Sequence, residues 1–249
     1  MHNNIDNRQP QPLRGCVTLV TGASRGIGKA IARKLAELGS SVAICGRNLE
    51  SLEAAAKEIT ALGRKVYARP ANVTNPAEIA ALVEATESQL GPISVLVNNA
   101  GIGNPGFGPL QEKTEADWDT VFNTNLKGVF LVCRVVAPLM IGRRRGDIIN
   151  ISSLAGKNTF AGGALYCASK WGLQGLTGCM AEDLRQYGIR VSAVCPGSVA
   201  TEFSGRGPKD CAKVLAPDDV AHAVAMLATQ GSQSFISEVH LRPISKPQS

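Results

Sequence analysis

The segment Cys16-Val17-Thr18-Leu19-Val20-Thr21-Gly22-Ala23-Ser24-Arg25-Gly26-Ile27-Gly28 decides the fold. Its first six residues are apolar or β-branched, the pattern of a buried strand. From Gly26 onward, Ile27, Ala30, Ile31, Leu35 and Leu38 recur at helical spacing, and Gly39 closes the run. Three glycines therefore stand between a strand and a helix. Glycine lets backbone amides approach a ligand closely, and a helix N-terminus carries positive potential, so the turn suits a phosphate group. The spacing is GxxxGxG, not the commoner GxGxxG, and a tight turn without a ligand is the competing reading.

Outward from this turn, short apolar runs alternate with helical patterns. Strands are expected at 16–21, 42–45, 66–68, 93–97, 147–151, 191–195 and 236–241. Helices are expected at 26–38, 49–62, 76–90, about 118–141, 166–187 and 217–229. Asn75 reads as the N-cap of the third helix, with Pro76 at its first position. The Gly/Pro-rich stretch 101–109 reads as a loop. Strand and helix alternating throughout means parallel βαβ units with right-handed crossovers. The expected fold is a single doubly wound Rossmann-type α/β domain, a seven-stranded parallel sheet with helices on both faces, over residues 13–249. Residues 1–12 are polar and rich in Pro, Gln and Asn, which reads as a disordered tail rather than a signal peptide. No apolar stretch reads as approaching the roughly 18 residues of a membrane span.

Composition narrows the function classes. Ala, Gly, Val, Ile and Leu dominate, and aromatic residues are only 4%, which suits close packing of helices on a parallel sheet. The formal charge of +6 favours an anionic cofactor or acidic partner. Basic residues are scattered apart from Arg143, Arg144 and Arg145, so no nucleic-acid-binding stripe is present. The seven cysteines form no CxxC pair, which argues against structural zinc and disulfides and for a reducing, cytoplasmic compartment. No metal is expected.

Three further places carry chemistry. The second strand ends Ile44-Cys45-Gly46-Arg47-Asn48, where an acid would serve a ribose diol. Arg47 there and Arg25 in the glycine loop could bracket a phosphate instead. Tyr166 and Lys170 lie four residues apart, on one helix face. An ammonium near a phenol favours the phenolate, so Lys170 is expected to lower the Tyr166 pKa. Ser153 follows the fifth strand, at the sheet end where open α/β folds bind ligands.

Taken together, Thr21 to Gly28, Asn98-Asn99-Ala100-Gly101, Asn125, Ser153, Tyr166-Cys167-Ala168-Ser169-Lys170 and Pro196-Gly197 resemble the short-chain dehydrogenase/reductase family, from Leu13 to about Leu241. Each motif is weak alone; their joint order and spacing carry the resemblance. It implies a catalytic set of Asn125, Ser153, Tyr166 and Lys170. Tyr166 would be the general acid in reduction and Ser153 would hydrogen-bond the substrate oxygen. Lys170 would hold the nicotinamide ribose, with Asn125 holding a water behind it. The implied cofactor is NADP(H), bound by Gly22, Ser24, Arg25, Gly26, Ile27, Gly28, Arg47, Asn72, Val73, Asn98, Ala100, Gly101, Tyr166, Lys170, Pro196, Gly197, Val199 and Thr201.

Within the family the sequence looks most like 3-oxoacyl-acyl-carrier-protein reductases. That implies a carrier-bound ketone and an acidic acyl carrier protein as partner, docked near Arg143–Arg145. The match is partial, because the second basic site usual there is Tyr187, with Arg185 close by. A solvated helix end is the alternative for this patch. The segment from Thr201 through Lys213 is short for a substrate lid, and the end Ser237-Glu238-Val239-His240-Leu241-Arg242 lacks the Asp-Gly-Gly turn of many members. The family commonly forms tetramers through two long helices, here about 115–141 and 166–187, so a homotetramer is implied. Two other readings stand beside this one: an NADP-dependent alcohol dehydrogenase or ketone reductase for a sugar, polyol or xenobiotic ketone, and a non-catalytic binding protein. The last would predict a broken Ser153, Tyr166, Lys170 set, and the set is intact.

Overall fold

The computed structural model describes residues 11–103, 105–204 and 213–245. Most of the expected tail, most of the short lid segment and Cys211 lie outside the described residues. Seven parallel strands form one sheet: β1 (Val17–Thr21), β2 (Ser41–Gly46), β3 (Val66–Pro70), β4 (Ile93–Asn98), β5 (Gly146–Ile151), β6 (Ile189–Pro196) and β7 (Glu238–Leu241). Their order is β3-β2-β1-β4-β5-β6-β7. The direction of winding reverses between β1 and β4, which opens a crevice at the C-terminal ends of those strands.

The strands alternate their side chains between two cores. On one face Val20, Ile44, Val97 and Val194 meet α1 (Gly26–Glu37), α2 (Leu49–Thr60) and α7 (Pro217–Ala228). On the other, Leu19, Ala43, Leu96 and Ile148 meet α3 (Pro76–Leu90), α5 (Gly128–Arg143) and α6 (Ala164–Arg185). Asn75 caps α3 through its side chain, with Pro76 following, as the sequence predicts. The long fourth helical region begins earlier than expected, at α4 (Glu115–Phe122), because Thr114 and Asp117 form a reciprocal capping box. A π-helical turn, Asn123–Lys127, joins α4 to α5.

One expectation needs correcting. Glu115–Arg143 is a continuous helical region of 29 residues, long and apolar enough to cross a membrane. Its packing is that of a core helix: Val121, Val129, Val132, Cys133, Val136 and Met140 are buried. Six cysteines lie among the described residues, all free, and Cys45, Cys133, Cys167 and Cys195 are buried.

Buried polar side chains tie β4, β5 and α6 together. Asn98 Nδ2 donates to Asn150 Oδ1 at 2.8 Å, and Asn150 Nδ2 donates to Thr177 Oγ1 at 2.9 Å. Thr177 Oγ1 donates in turn to the Leu173 carbonyl. Replacing Asn150 with Ala would break the chain at its middle, take from Thr177 Oγ1 the donor it accepts from, and leave the Asn98 amide only its weaker bond to Cys133 Sγ at 3.2 Å. A buried polar group left unpaired costs about 1–3 kcal/mol. Urea unfolding of Asn150→Ala should show a loss of that size, and an unchanged midpoint would mean the link carries no stability.

Candidate active site

The glycine turn is the tightest part of the crevice. Gly22 adopts φ +64, and a Cβ there would stand 2.7 Å from Ala100 Cα. Neither the backbone conformation nor the space admits another residue. Asn99, within the Asn98–Gly101 stretch expected to stabilise the sheet and line the adenosine side, holds this turn: its Nδ2 donates to the Thr21 and Gly22 carbonyls, both at 3.0 Å. Thr21 Oγ1 accepts from the backbone N–H of Asn99 and of Ala100. Helix α1 then starts with no side-chain cap and no acid in its first turn, so its free N–H groups face the crevice uncompensated.

A cavity of about 1220 Å³ runs along the strand ends. That exceeds the roughly 300–1,000 Å³ of ordinary small-molecule sites, and leaves room for an extended cofactor beside a substrate. One end is lined by Ser24, Arg25, Arg47, Asn72 and Val73, the other by Ser153, Tyr166 and Phe160. Gly22, Gly26, Ile27, Gly28, Ala100, Gly101, Lys170, Pro196, Gly197, Val199 and Thr201 also face it. Asn98 does not line it. Its side chain turns into the core toward Asn150, and Asn99 takes the place at the wall. Nor does Asn125: it is fully buried, with Oδ1 accepting from Ile102 N and Nδ2 donating to the Ile102 carbonyl and Ser169 Oγ. A Cβ on Gly101 would touch both Asn125 Oδ1 and Lys170 Nζ, so Asn125 lies just behind the lysine.

At the far end, β5 delivers Ser153 and α6 delivers Tyr166 and Lys170. Ser153 Oγ accepts from Ala155 N at 3.1 Å and hydrogen-bonds the Tyr166 hydroxyl. Lys170 Nζ donates to the Ile151 carbonyl at 2.9 Å and stands 5.9 Å from the Tyr166 ring centre. Burial pushes the Tyr166 hydroxyl up to about 12, against the opposing hydrogen bond from Ser153. The lowering expected from Lys170 is not found; the cause that lowers the phenol is the Ser153 hydrogen bond, and burial outweighs it. Burial also pulls the lysine down to about 8, so its own charge is costly. The pair therefore rests as a neutral phenol beside an ammonium that titrates near physiological pH.

The basic residues at the mouth differ in their engagement. Arg25 Nη1 donates to Glu202 Oε2 at 2.6 Å, and both side chains are largely exposed. An exposed pair of this kind is worth about 0–1 kcal/mol, so a phosphate could displace it cheaply. Arg143–Arg145 lie elsewhere, at the start of β5. Six residues at about 3.3 Å each put them roughly 20 Å from the cavity end of that strand. Arg143 contacts both oxygens of Glu87, and Arg144 donates to the Gln186 carbonyl and covers the Tyr187 ring.

Cys195, Glu238 and His240 bring three potential metal donors within 4.8 Å of one another. Glu238 already accepts from Cys195, Gln174 and His240 and pairs with Lys157 Nζ at 3.0 Å. Burial pushes its carboxyl up, but bonds from His240, Lys157 and Cys195 outweigh this and hold it down at about 2. The lysine occupies the place of a counter-cation.

Comparison with known proteins agrees with this geometry. Residues 16–212 match the family model described as short chain dehydrogenase. The chain is 38% identical over 237 residues to 3-oxoacyl-acyl-carrier-protein reductase FabG of Thermotoga maritima, covering 91% of this chain and 96% of that one. It is 41% identical over 194 residues to gluconate 5-dehydrogenase of Gluconobacter oxydans, covering 78% and 75% of the two chains. A metagenomic short-chain oxidoreductase solved in complex with NADP superposes with a TM-score of 0.83 at 48% identity, covering 94% of this chain and all of that one. With the glycine turn at the β1–β4 crevice and the Ser153, Tyr166, Lys170 cluster at its end, this chain belongs to the short-chain dehydrogenase/reductase family.

Proposed function

We propose that the protein is an NADP(H)-dependent oxidoreductase that reduces a ketone to a secondary alcohol. The observation that carries this is the convergence of Ser153, Tyr166 and Lys170 at one end of a cavity whose other end is a glycine turn with arginines. NADPH, when bound, supplies the hydride. The glycine turn and the α1 N-terminus would hold its pyrophosphate, Arg47 and Arg25 its 2′-phosphate, and Asn72 and Val73 its adenine side. Pro196, Gly197, Val199 and Thr201 would border the nicotinamide. Lys170 has two donors left after Ile151 and would hold the ribose diol. Asn125 would position a water behind it.

The proton step belongs to Tyr166. Reduction leaves an alkoxide, a strong base, so an acid must lie within hydrogen-bond reach. A phenol held protonated by burial is such an acid at every working pH. Ser153 would donate to the same oxygen and stabilise its developing charge. Lys170, when charged, stabilises the phenolate that Tyr166 becomes.

As substrate we propose a 3-oxoacyl thioester on a carrier, by the sequence likeness to reductases of that name. The second reading is a small-molecule ketone or polyol. The Gluconobacter relative's name favours it, and so does the position of Arg143–Arg145, far from the chain's own cavity and partly engaged within the chain. NADPH oxidation with acetoacetyl-CoA beside simple ketones and sugars separates the two. A homotetramer is proposed for the assembled enzyme.

Tyr166→Phe removes the acid with little change of shape. Turnover should fall about 10²–10⁴-fold while NADPH affinity persists. Lys170→Ala should lose both turnover and NADPH affinity. Near-normal turnover in Tyr166→Phe would sink the mechanism.

Arg47→Asp tests the cofactor preference. Each charge-assisted contact is worth about 1.5–3 kcal/mol, so the Kd for NADPH should rise at least tenfold while that for NADH stays level or falls. Equal loss for both cofactors would assign Arg47 another role.

The pH dependence follows from the lysine. Below about 8 Lys170 is charged, and above it the charge is lost. The kcat/KM for reduction should be flat on the acid side of that value and fall on the alkaline side. Alcohol oxidation, which needs the phenolate, should instead rise with pH. A reduction profile flat well beyond the lysine pKa would contradict this assignment.

A further inference from the structure

The far end of the cavity is walled by aromatic rings. Phe107 packs on Tyr166 with ring centres 5.1 Å apart and planes tilted 55°. Phe203 meets Tyr166 edge-on at 5.9 Å, and Phe160 lies 6.1 Å from Phe107. These are three of the chain's six phenylalanines, gathered beside one tyrosine in a protein with only 4% aromatic residues. Phe160 is 50% and Phe203 40% exposed, so their apolar faces are not spent on the core. Of the polar side chains near them, Asn158 donates through Nδ2 to the Leu154 carbonyl, and Glu202 pairs with Arg25 at the mouth until a cofactor phosphate displaces it.

The rings are also held in place. Lys113 Nζ donates to the carbonyls of Pro105 and Phe107, clamping the Phe107 loop. Gly108 N donates to the Gly162 carbonyl at 2.8 Å, clipping that loop to the one carrying Phe160. A Cβ on Gly103 would stand 2.6 Å from Phe107 Cε2 and 2.8 Å from Phe203 Cε1. The missing side chain at Gly103 is what lets the two ring edges converge.

We propose that Phe107, Phe160 and Phe203 form a preorganised subsite for an aryl group attached directly to the carbonyl that Tyr166 protonates. The substrate class is therefore the aryl ketone, with the second substituent, such as an ester or thioester, directed to the open side of the cavity. This rests on the ketone-reduction reading and selects within it. Tilted rings at 5–6 Å are the arrangement in which aromatic pairs attract beyond their buried area. A sugar or polyol would have to give up water from its hydroxyls against the ring faces, which return no hydrogen bonds.

Ethyl benzoylacetate and ethyl acetoacetate make a matched test, because they differ only in phenyl against methyl at the reacting ketone. With the full chain and NADPH, kcat/KM should favour the phenyl compound by about tenfold or more, although its carbonyl is intrinsically less electrophilic. Phe160→Ala, at an exposed position, and Phe107→Leu, which keeps an apolar side chain, should each cut that ratio about 3- to 10-fold. Gly103→Ala, which crowds two of the rings, should cut it as well. A ratio at or below one in the parent enzyme, or a ratio unchanged in all three variants, overturns the subsite. If neither ester nor any other ketone oxidises NADPH, ketone reduction itself is wrong and the subsite goes with it.

Discussion

The seating of α6 against the C-terminal end of β5 governs the rest of the site. Ser153 comes from one element and Tyr166 and Lys170 from the other, so their distances depend on a contact between distant parts of the chain. Two links make that contact specific. Asn150 bridges Asn98 to Thr177 inside the core, and Lys170 donates to the Ile151 carbonyl two residues short of Ser153. Apolar packing alone would let the helix slide by fractions of an ångström at small cost. Buried hydrogen bonds resist sliding, because a displaced donor finds no water to replace the partner it loses.

The same burial sets the electrostatics. The side chains that would do acid–base work lie beneath the surface, and desolvation acts on each against its charged form. Tyrosine moves up and lysine moves down. The two shifts suit reduction, where the phenol must hold its proton until the alkoxide forms. They also make the site sensitive to whatever neighbours the lysine, since its charge is lost above about pH 8.

The cavity has two characters. Its nucleotide end is built of backbone, glycine and guanidinium, which suits phosphates. Its other end is built of rings. The division follows the topology: the β1–β4 crevice supplies the glycine turn, while the loops after β4, β5 and β6 supply Phe107, Phe160 and Phe203. Arg143–Arg145, at the opposite end of β5, belong to neither.

How much of this was legible in the sequence differs by element. The alternation of apolar runs and helical patterns determined the seven-stranded parallel sheet, because strand and helix periods are local properties. The glycine turn and the Tyr166–Lys170 pair were equally legible, since both are short-range spacings. The capping box that starts α4 is likewise written in the local spacing of Thr114 and Asp117. Other features needed the tertiary structure. The inward turn of Asn98, with Asn99 at the wall, depends on strand pairing with Asn150. The phenol's upward pKa depends on how deeply the fold buries it, which outweighs the hydrogen bond from Ser153. The aromatic wall joins residues 53 and 43 positions apart in the chain, counted from Phe107 to Phe160 and from Phe160 to Phe203. No periodicity links them, and only the packing together of the loops that follow β4, β5 and β6 decides that they meet.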